Sequence, residues 1–119
     1  MLFTGDAVSD GASQFAWDAF FDAAPELLAS TPGLWADGNH EGISEVYFAM
    51  FAFPDNGQPH RHEHWYASRY GLMEVIVLND TTIPPSEQAM VETTWWRNEL
   101  TTVDRTRTQW VGAIHHQPM

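Results

Sequence analysis

The apolar and polar positions follow two different periods along the chain, and these periods predict its secondary structure. Over residues 13–30, Phe15, Phe20 and Leu27 recur with helical rather than alternating spacing, which indicates an amphipathic helix. Ser13 is a suitable N-cap, and the Thr-Pro-Gly sequence at residues 31–33 ends the pattern. Pro25 lies inside the span and lacks a backbone N–H, so we expect the helix to be kinked or split there.

Short apolar runs without helical spacing predict strands. They cover residues 2–4, 34–36, about 64–70, about 72–79 and 110–114. Only Gly71 separates the third run from the fourth, which indicates a tight hairpin. The fourth run contains the continuous apolar segment at residues 75–78, which is typical of a central strand covered on both faces.

Two further helices complete the predicted pattern. One is expected over about residues 43–51, and the other runs from an N-cap at Ser86 to about Thr101, with Glu87 in its first turn. The resulting order is strand, helix, strand, helix, two strands, helix, strand. Helices that alternate with buried strands indicate an α/β layered fold.

Polar clusters follow three of the predicted strands. Asp6 comes after the first strand, Asn39 and His40 come after the second, and His115 and His116 come after the last. Ligand sites in open α/β sheets gather at the carboxyl ends of strands, so we expect the three clusters to meet there. A carboxylate, an amide oxygen and an imidazole can together bind a divalent or trivalent metal ion.

Composition limits the classes of protein and partner. A length of 119 residues suits one compact domain, and the absence of cysteine excludes disulfides, thiolate metal sites and a cysteine nucleophile. Sixteen acidic residues against five arginines give a net charge of -11, which repels nucleic-acid phosphates and anionic membranes as general partners. An anionic ligand would therefore require a local cation.

The motifs resemble those of the calcineurin-like metallophosphoesterases, and the purple-acid-phosphatase-like branch in particular. The similarity rests on GDAVSDG at residues 5–11, GNHE at 38–41, HWYASRYG at 64–71 and HHQPM at 115–119. It implies a layered α/β/β/α metallophosphoesterase-type sandwich. The family's first and last metal-binding motifs have no counterpart here, so residues 1–119 are expected to be the central part of a single catalytic domain.

The resemblance also implies roles for individual residues. Asp6 matches the aspartate that bridges two metals, Asn39 the amide ligand of the second metal, and His116 a histidine ligand. His40 matches the histidine that contacts phosphate and protonates the leaving group. The implied reaction is hydrolysis of a phosphate ester, on a small molecule or a protein, by a hydroxide that bridges two divalent or trivalent ions. Ser9 stands where the purple enzymes carry the tyrosine that binds ferric iron, which argues against a purple ferric site and leaves the metal identity open among iron, zinc and manganese.

Alternatives from other classes remain open. Without the flanking motifs, the chain could be a non-catalytic module that uses the fold for binding or assembly. His60, His62 and His64 alternate along one segment, and such a set of imidazoles would suit a zinc- or nickel-binding loop. We also expect self-association through uncovered sheet edges. Relatives of this branch are often exported, which would be consistent with an extracytoplasmic parent protein.

Four further residues receive supporting roles. Glu41 is interpreted as a support for the neighbouring loops or as a helix cap, and not as a metal ligand. Asp10 is expected to orient the Asp6 loop through backbone hydrogen bonds, and Trp95 and Trp110 are expected to pack between layers.

Overall fold

The computed structural model of the chain describes residues 1–42, 44–59, 63–81, 86 and 88–117. Its elements are, in chain order, β1 (Leu2–Thr4), α1 (Gln14–Ala23), α2 (Pro25–Ser30), β2 (Leu34–Ala36), α3 (Glu45–Met50), β3 (Tyr66–Tyr70), β4 (Met73–Val77), a π-helix (Gln88–Glu92), α4 (Thr93–Thr102) and β5 (Trp110–Ile114). This order confirms the predicted alternation and the α/β class. None of the described helices is long and apolar enough to cross a bilayer.

The first predicted helix is split at Pro25, as expected. Ser13 Oγ accepts a hydrogen bond from Ala16 N and begins α1, while Pro25 begins α2, where no backbone N–H is required. Trp17 is fully buried, but Phe15 is 82% exposed and Leu27 52%. The prediction that Phe15 and Leu27 share the buried face is therefore wrong. Phe15 lies two positions before Trp17, about 200° around the helix, so the two rings cannot face the same core.

The two later helices differ from their predicted bounds. α3 begins after Ser44, whose Oγ accepts from Val46 N at 3.2 Å, and Ile43 lies outside the described residues. Ahead of α4, residues Gln88–Glu92 of the helix predicted from Ser86 to about Thr101 are π-helical. Glu87 lies outside the described residues, so its place in a first turn stays a prediction, as does the capping role of Ser86.

Two small sheets carry the polar strand ends. β1 and β2 run parallel, with Phe3 opposite Trp35. β4 is the centre of the second sheet, antiparallel to β3 and parallel to β5. Gly71 makes the turn between β3 and β4 with a φ of 62°. Val75, Ile76 and Val77 are almost fully buried, which confirms that the apolar run is a central strand.

Three apolar clusters cover these sheets. Val75, Val77 and Ile114 lie in one of them, Ile76 and Trp95 lie in the cluster on the other face of β4, and Trp17 belongs to a third around α1 and α3. The expectation that Trp95 packs between layers is confirmed. The same expectation for Trp110 is wrong, because its side chain is 69% exposed. Trp110 is the first residue of β5 and alternates onto the face of Ile114, away from Trp95, at the uncovered end of the strand.

Candidate metal centre

The polar clusters predicted at the strand ends do meet. β1 and β2 are parallel, so Asp6 and Asn39 follow neighbouring strands at the same end, and the segment after β5 brings His116 beside them. His116 Nε2 lies 3.1 Å from Asn39 Oδ1 and 3.4 Å from Asp6 Oδ2. The structure therefore brings the three predicted metal ligands together from distant parts of the chain.

The second ring nitrogen of His116 shows how this imidazole is oriented. His116 Nδ1 lies 2.7 Å from the carbonyl oxygen of Thr4. A carbonyl oxygen can only accept, so Nδ1 carries a proton, and in the neutral ring Nε2 has none. Its lone pair then faces two other acceptor atoms, the side-chain oxygens of Asn39 and Asp6.

When the ring is neutral, these three acceptor atoms face one another without a donor and repel, and a cation between them, or a proton on Nε2, removes that repulsion. The donor set of one carboxylate, one amide oxygen and one imidazole therefore fits a metal ion. Within the described part of the chain, no three His, Asp or Glu side chains form such a group by themselves. A metal at this place would thus depend on the amide of Asn39.

The backbone of the Asp6 loop is held in an unfavourable conformation. Gly5 has a φ of 87° and Asp6 a φ of 55°, and a non-glycine residue in this left-handed region costs about 1 kcal/mol or more. The surrounding contacts must supply that energy. Asp6 Oδ1 accepts from His40 N at 3.1 Å, which ties the loop to the GNHE segment and leaves Oδ2 near His116.

Glu41 holds the Asp6 loop and the Gly38 segment together through hydrogen bonds. Its side chain is buried; Oε2 accepts from Asp6 N at 2.7 Å and from Gly38 N at 2.8 Å, and Oε1 accepts from Val8 N at 3.1 Å. One carboxylate thus satisfies three backbone N–H groups. The interpretation of Glu41 as a loop support is confirmed. The alternative of a helix cap is wrong, because Ser44 caps α3.

His40 lies on the exposed side of the centre. Its Nδ1 is 2.9 Å from the carbonyl oxygen of Ser9, so this nitrogen also carries a proton. Among the described residues, Nε2 of His40 has no hydrogen-bond partner, and the side chain is exposed to solvent. A proton on Nε2 can therefore be exchanged with a molecule that binds at the surface.

Asp80 was missed by the sequence analysis and holds the segment that carries His116. Its Oδ1 accepts from His116 N at 3.3 Å, while Oδ2 accepts from Gln117 N at 2.8 Å and contacts His115 Nδ1 at 3.0 Å. His115 is therefore a partner of Asp80 and not a member of the donor set. The available signal was position, since Asp80 lies three residues beyond β4, as Asn39 lies three residues beyond β2.

A buried polar network supports the ends of β2 and β4 and was also missed. Asn79 is fully buried; its Nδ2 donates to Asp37 Oδ2 at 3.0 Å and its backbone N donates to Glu92 Oε1 at 2.6 Å. Burial is the main cause that raises the pKa of Glu92 to about 7, and the charge of Asp80 acts in the same direction. Glu92 therefore titrates near neutral pH.

Other predicted residues lie elsewhere or outside the described residues. Asp10 Oδ1 accepts from Ala12 N at 3.0 Å, so it orders its own turn, and the prediction that it orients the Asp6 loop is wrong. His60 and His62 lie outside the described residues, as do the Pro and Met of the HHQPM motif. The neighbouring His64 packs its ring against Phe48, with the ring centres 4.7 Å apart. The His-loop metal site stays a prediction.

The chain is similar in sequence to plant phosphatases. It is 27% identical over 113 residues to the phosphoenolpyruvate phosphatase of Allium cepa, a match that covers 87% of this chain and 23% of the relative. It is 27% identical over 109 residues to purple acid phosphatase 15 of Arabidopsis thaliana, a match that covers 86% of this chain and 20% of the relative. A third relative, purple acid phosphatase 1 of Ipomoea batatas, is 28% identical over 117 residues. That match covers 87% of this chain and 24% of the relative. No protein-family profile matches the chain.

A solved structure shows the same fold. Purple acid phosphatase PPD1 from the seeds of yellow lupin (Lupinus luteus) matches 98% of this chain and 23% of its own, with a TM-score of 0.75 and 19% sequence identity. The chain therefore spans about a quarter or less of the length of the relatives that it matches. These matches confirm the resemblance to the purple-acid-phosphatase-like branch.

Proposed function

We propose that this chain, which resembles the purple acid phosphatases in sequence and in fold, forms part of a metal-dependent phosphoesterase domain. Because it spans about a quarter or less of its relatives, the activity would belong to a longer protein. Residues 1–119 would form the central part of the layered sandwich of that protein. The observation that carries the proposal is the convergence of Asp6 Oδ2 and Asn39 Oδ1 on His116 Nε2, at 3.4 Å and 3.1 Å.

Asp6, Asn39 and His116 would hold the metal. When bound, two divalent or trivalent ions such as iron, zinc or manganese would supply an activated water for attack on phosphorus and neutralise the phosphate oxygens. The chain prepares this place by fixing its own donor atoms. Thr4 O holds the His116 ring, and His40 N holds the Asp6 carboxylate, so little rearrangement is required when the cation binds.

His40 would protonate the oxygen of the leaving group. In the protonated ring both nitrogens carry a proton, and transfer from Nε2 leaves the neutral ring with its proton on Nδ1. That tautomer is the one that the Ser9 carbonyl stabilises, at 2.9 Å. The contact with Ser9 therefore favours the state that proton transfer produces and aims Nε2 at the reacting group.

Metal binding by the chain tests the ligand assignment. Calorimetry with Mn²⁺ should show binding that weakens about 100-fold or more in an Asp6→Ala, Asn39→Ala double variant, because two of three donor atoms are lost. Asp22→Ala, which removes an exposed carboxylate from α1, is the matched control and should bind as the wild type does. Equal affinity in the double variant and the control would refute the assignment.

Leaving-group dependence tests the role of His40 in a longer protein that contains this chain. His40→Gln should lower kcat for an alkyl phosphate by about 100-fold or more, because a poor leaving group needs a proton. It should affect p-nitrophenyl phosphate far less, since that leaving group departs as an anion. An equal loss on both substrates would assign His40 to binding or structure instead of proton transfer.

A further inference from the structure

We propose that Asp80 is the positioning residue that sets the pose of His116 for metal binding, an inference that rests on the proposed function. Asp80 follows β4, and His116 follows the neighbouring parallel strand β5. The Asp80 carboxylate accepts hydrogen bonds from the backbone N of His116 and of Gln117, and it pairs with His115 Nδ1. A single side chain thus holds three consecutive residues of the segment that bears the ligand.

The sheet itself does not hold this segment. The last backbone contact of the β4–β5 ladder is the hydrogen bond from Leu78 N to Ile114 O at 3.0 Å, and His116 lies two residues beyond it. Among the described residues, the polar contacts that hold His116 outside the donor set are those to Asp80 and to Thr4. The backbone is fixed from β4 and the ring is fixed from β1, so the direction of Nε2 depends on both.

The number of donors explains why a carboxylate occupies this position. Three N–H groups approach the two oxygens of Asp80, and a carboxylate can accept all three without presenting a hydrogen. An asparagine would place its NH₂ group against at least one of these donors. Because both oxygens are engaged by N–H groups, Asp80 acts through His116 and is not itself placed as a ligand.

The tautomer of His116 in the metal-free chain is the direct readout. Long-range ¹H–¹⁵N correlation NMR of the labelled chain, at about pH 8, should show His116 as a fixed Nδ1–H tautomer. In Asp80→Ala the ring loses its place beside Thr4 O, and its signals should move to those of an imidazole that exchanges between tautomers. The Mn²⁺ affinity measured on the same samples should fall by about 10-fold or more.

Asp104→Ala is the matched control. Asp104 also uses its carboxylate to accept a backbone N–H, from Thr106 at 2.9 Å, but it lies in the turn before β5, at the opposite end of that strand. It should leave the His116 imidazole signals and the Mn²⁺ affinity unchanged. A purely structural role for Asp80 would disturb amide signals of the segment without changing the tautomer.

Each outcome decides the inference. If Asp80→Ala keeps the Nδ1–H signals of His116, Asp80 does not position the ring, and the inference is overturned. If the wild type binds no Mn²⁺, the proposed function fails for this chain, and the imidazole signals alone decide the role of Asp80. If Asp80→Ala loses its folded spectrum, Asp80→Asn decides the question, because asparagine keeps the side-chain volume and one acceptor oxygen. Its His116 signals should lie between those of the fixed Nδ1–H tautomer and those of a freely exchanging imidazole.

Discussion

The hydroxyl of Tyr66 holds both backbone polar groups of Trp35. Trp35 N donates to Tyr66 Oη at 2.9 Å, and Oη donates to Trp35 O at 3.0 Å. Residues of a strand alternate the side to which they hydrogen bond, and Leu34 N already bonds to Met1 O in the β1–β2 pair. Tyr66 therefore takes the place of a neighbouring strand on the other side of β2. Since β2 leads to Asn39 and the β3–β5 sheet leads to His116, this contact fixes the two halves of the candidate centre relative to each other.

Tyr66→Phe should destabilise the fold by about 2–3 kcal/mol, because it leaves a buried N–H and a buried C=O without a partner. The free energy of unfolding, measured with urea, checks this value. Burial raises the pKa of the Tyr66 hydroxyl, so the loss should be the same at neutral and mildly alkaline pH. Tyr70→Phe on the same strand is the control, since Tyr70 is 76% exposed, and should change stability by less than about 0.5 kcal/mol. Equal stability of the two variants would contradict the argument.

Glu41→Gln should lower the free energy of unfolding by about 2–4 kcal/mol and weaken Mn²⁺ binding. The amide has one acceptor oxygen where the carboxylate had two, so its NH₂ group must face a backbone N–H of the Asp6 or Gly38 segment. Urea unfolding and calorimetry measure the two effects. Glu45→Gln, an exposed glutamate in the first turn of α3, controls for the loss of charge and should change stability by less than about 1 kcal/mol. A Glu41→Gln variant as stable as that control would show that the three contacts contribute little.

Gly5→Ala should abolish Mn²⁺ binding, because the added methyl group would lie 2.6 Å from Gly38 Cα and 2.7 Å from His116 Nδ1. Gly71→Ala separates this clash from backbone strain. Gly71 also has a positive φ, 62° against 87° for Gly5, yet a methyl group there meets no atom within 4 Å. We expect Gly71→Ala to lower the free energy of unfolding by about 1 kcal/mol and to leave metal binding intact. Gly5→Ala should lower it by about 2 kcal/mol more. Intact Mn²⁺ binding in Gly5→Ala would mean that the three loops are not packed as the structure shows.

Periodicity and strand order were enough to predict the elements and the meeting of Asp6, Asn39 and His116 at the carboxyl ends of their strands. Asp6 and Asn39 follow neighbouring parallel strands of one sheet, whereas His116 follows β5 of the other sheet, a division that the strand order did not reveal. The same information places Asp80 at a strand end like that of Asn39, but it could not show that the Asp80 carboxylate reaches the His116 segment or that the Tyr66 hydroxyl reaches Trp35. Each satisfies backbone groups of a segment distant in sequence, and residue spacing says nothing about which loop a carboxylate or hydroxyl will reach.

Exposure and helix type were predicted less well for physical reasons. Apolar character marked Phe15 and Trp110 as core residues, but one lies on the far side of α1 and the other at an uncovered strand end. Over the five residues Gln88–Glu92, a π-helix and an α-helix produce the same apolar pattern, so the sequence could not distinguish them.

Glu92→Gln should make the stability of the chain less dependent on pH. Burial raises the pKa of Glu92 from 4.5 to about 7, so the fold favours the protonated form. Its stabilising contribution is then complete below about pH 4.5 and is lost as the pH rises through about 7. The neutral amide can keep the hydrogen bond from Asn79 N without ionising, so the variant should gain about 1–3 kcal/mol relative to the wild type between about pH 5 and pH 8. Urea unfolding at both pH values measures the difference, with the exposed Glu26→Gln as control. Parallel pH profiles for wild type and Glu92→Gln would show that Glu92 ionises as freely in the folded chain as in the unfolded one.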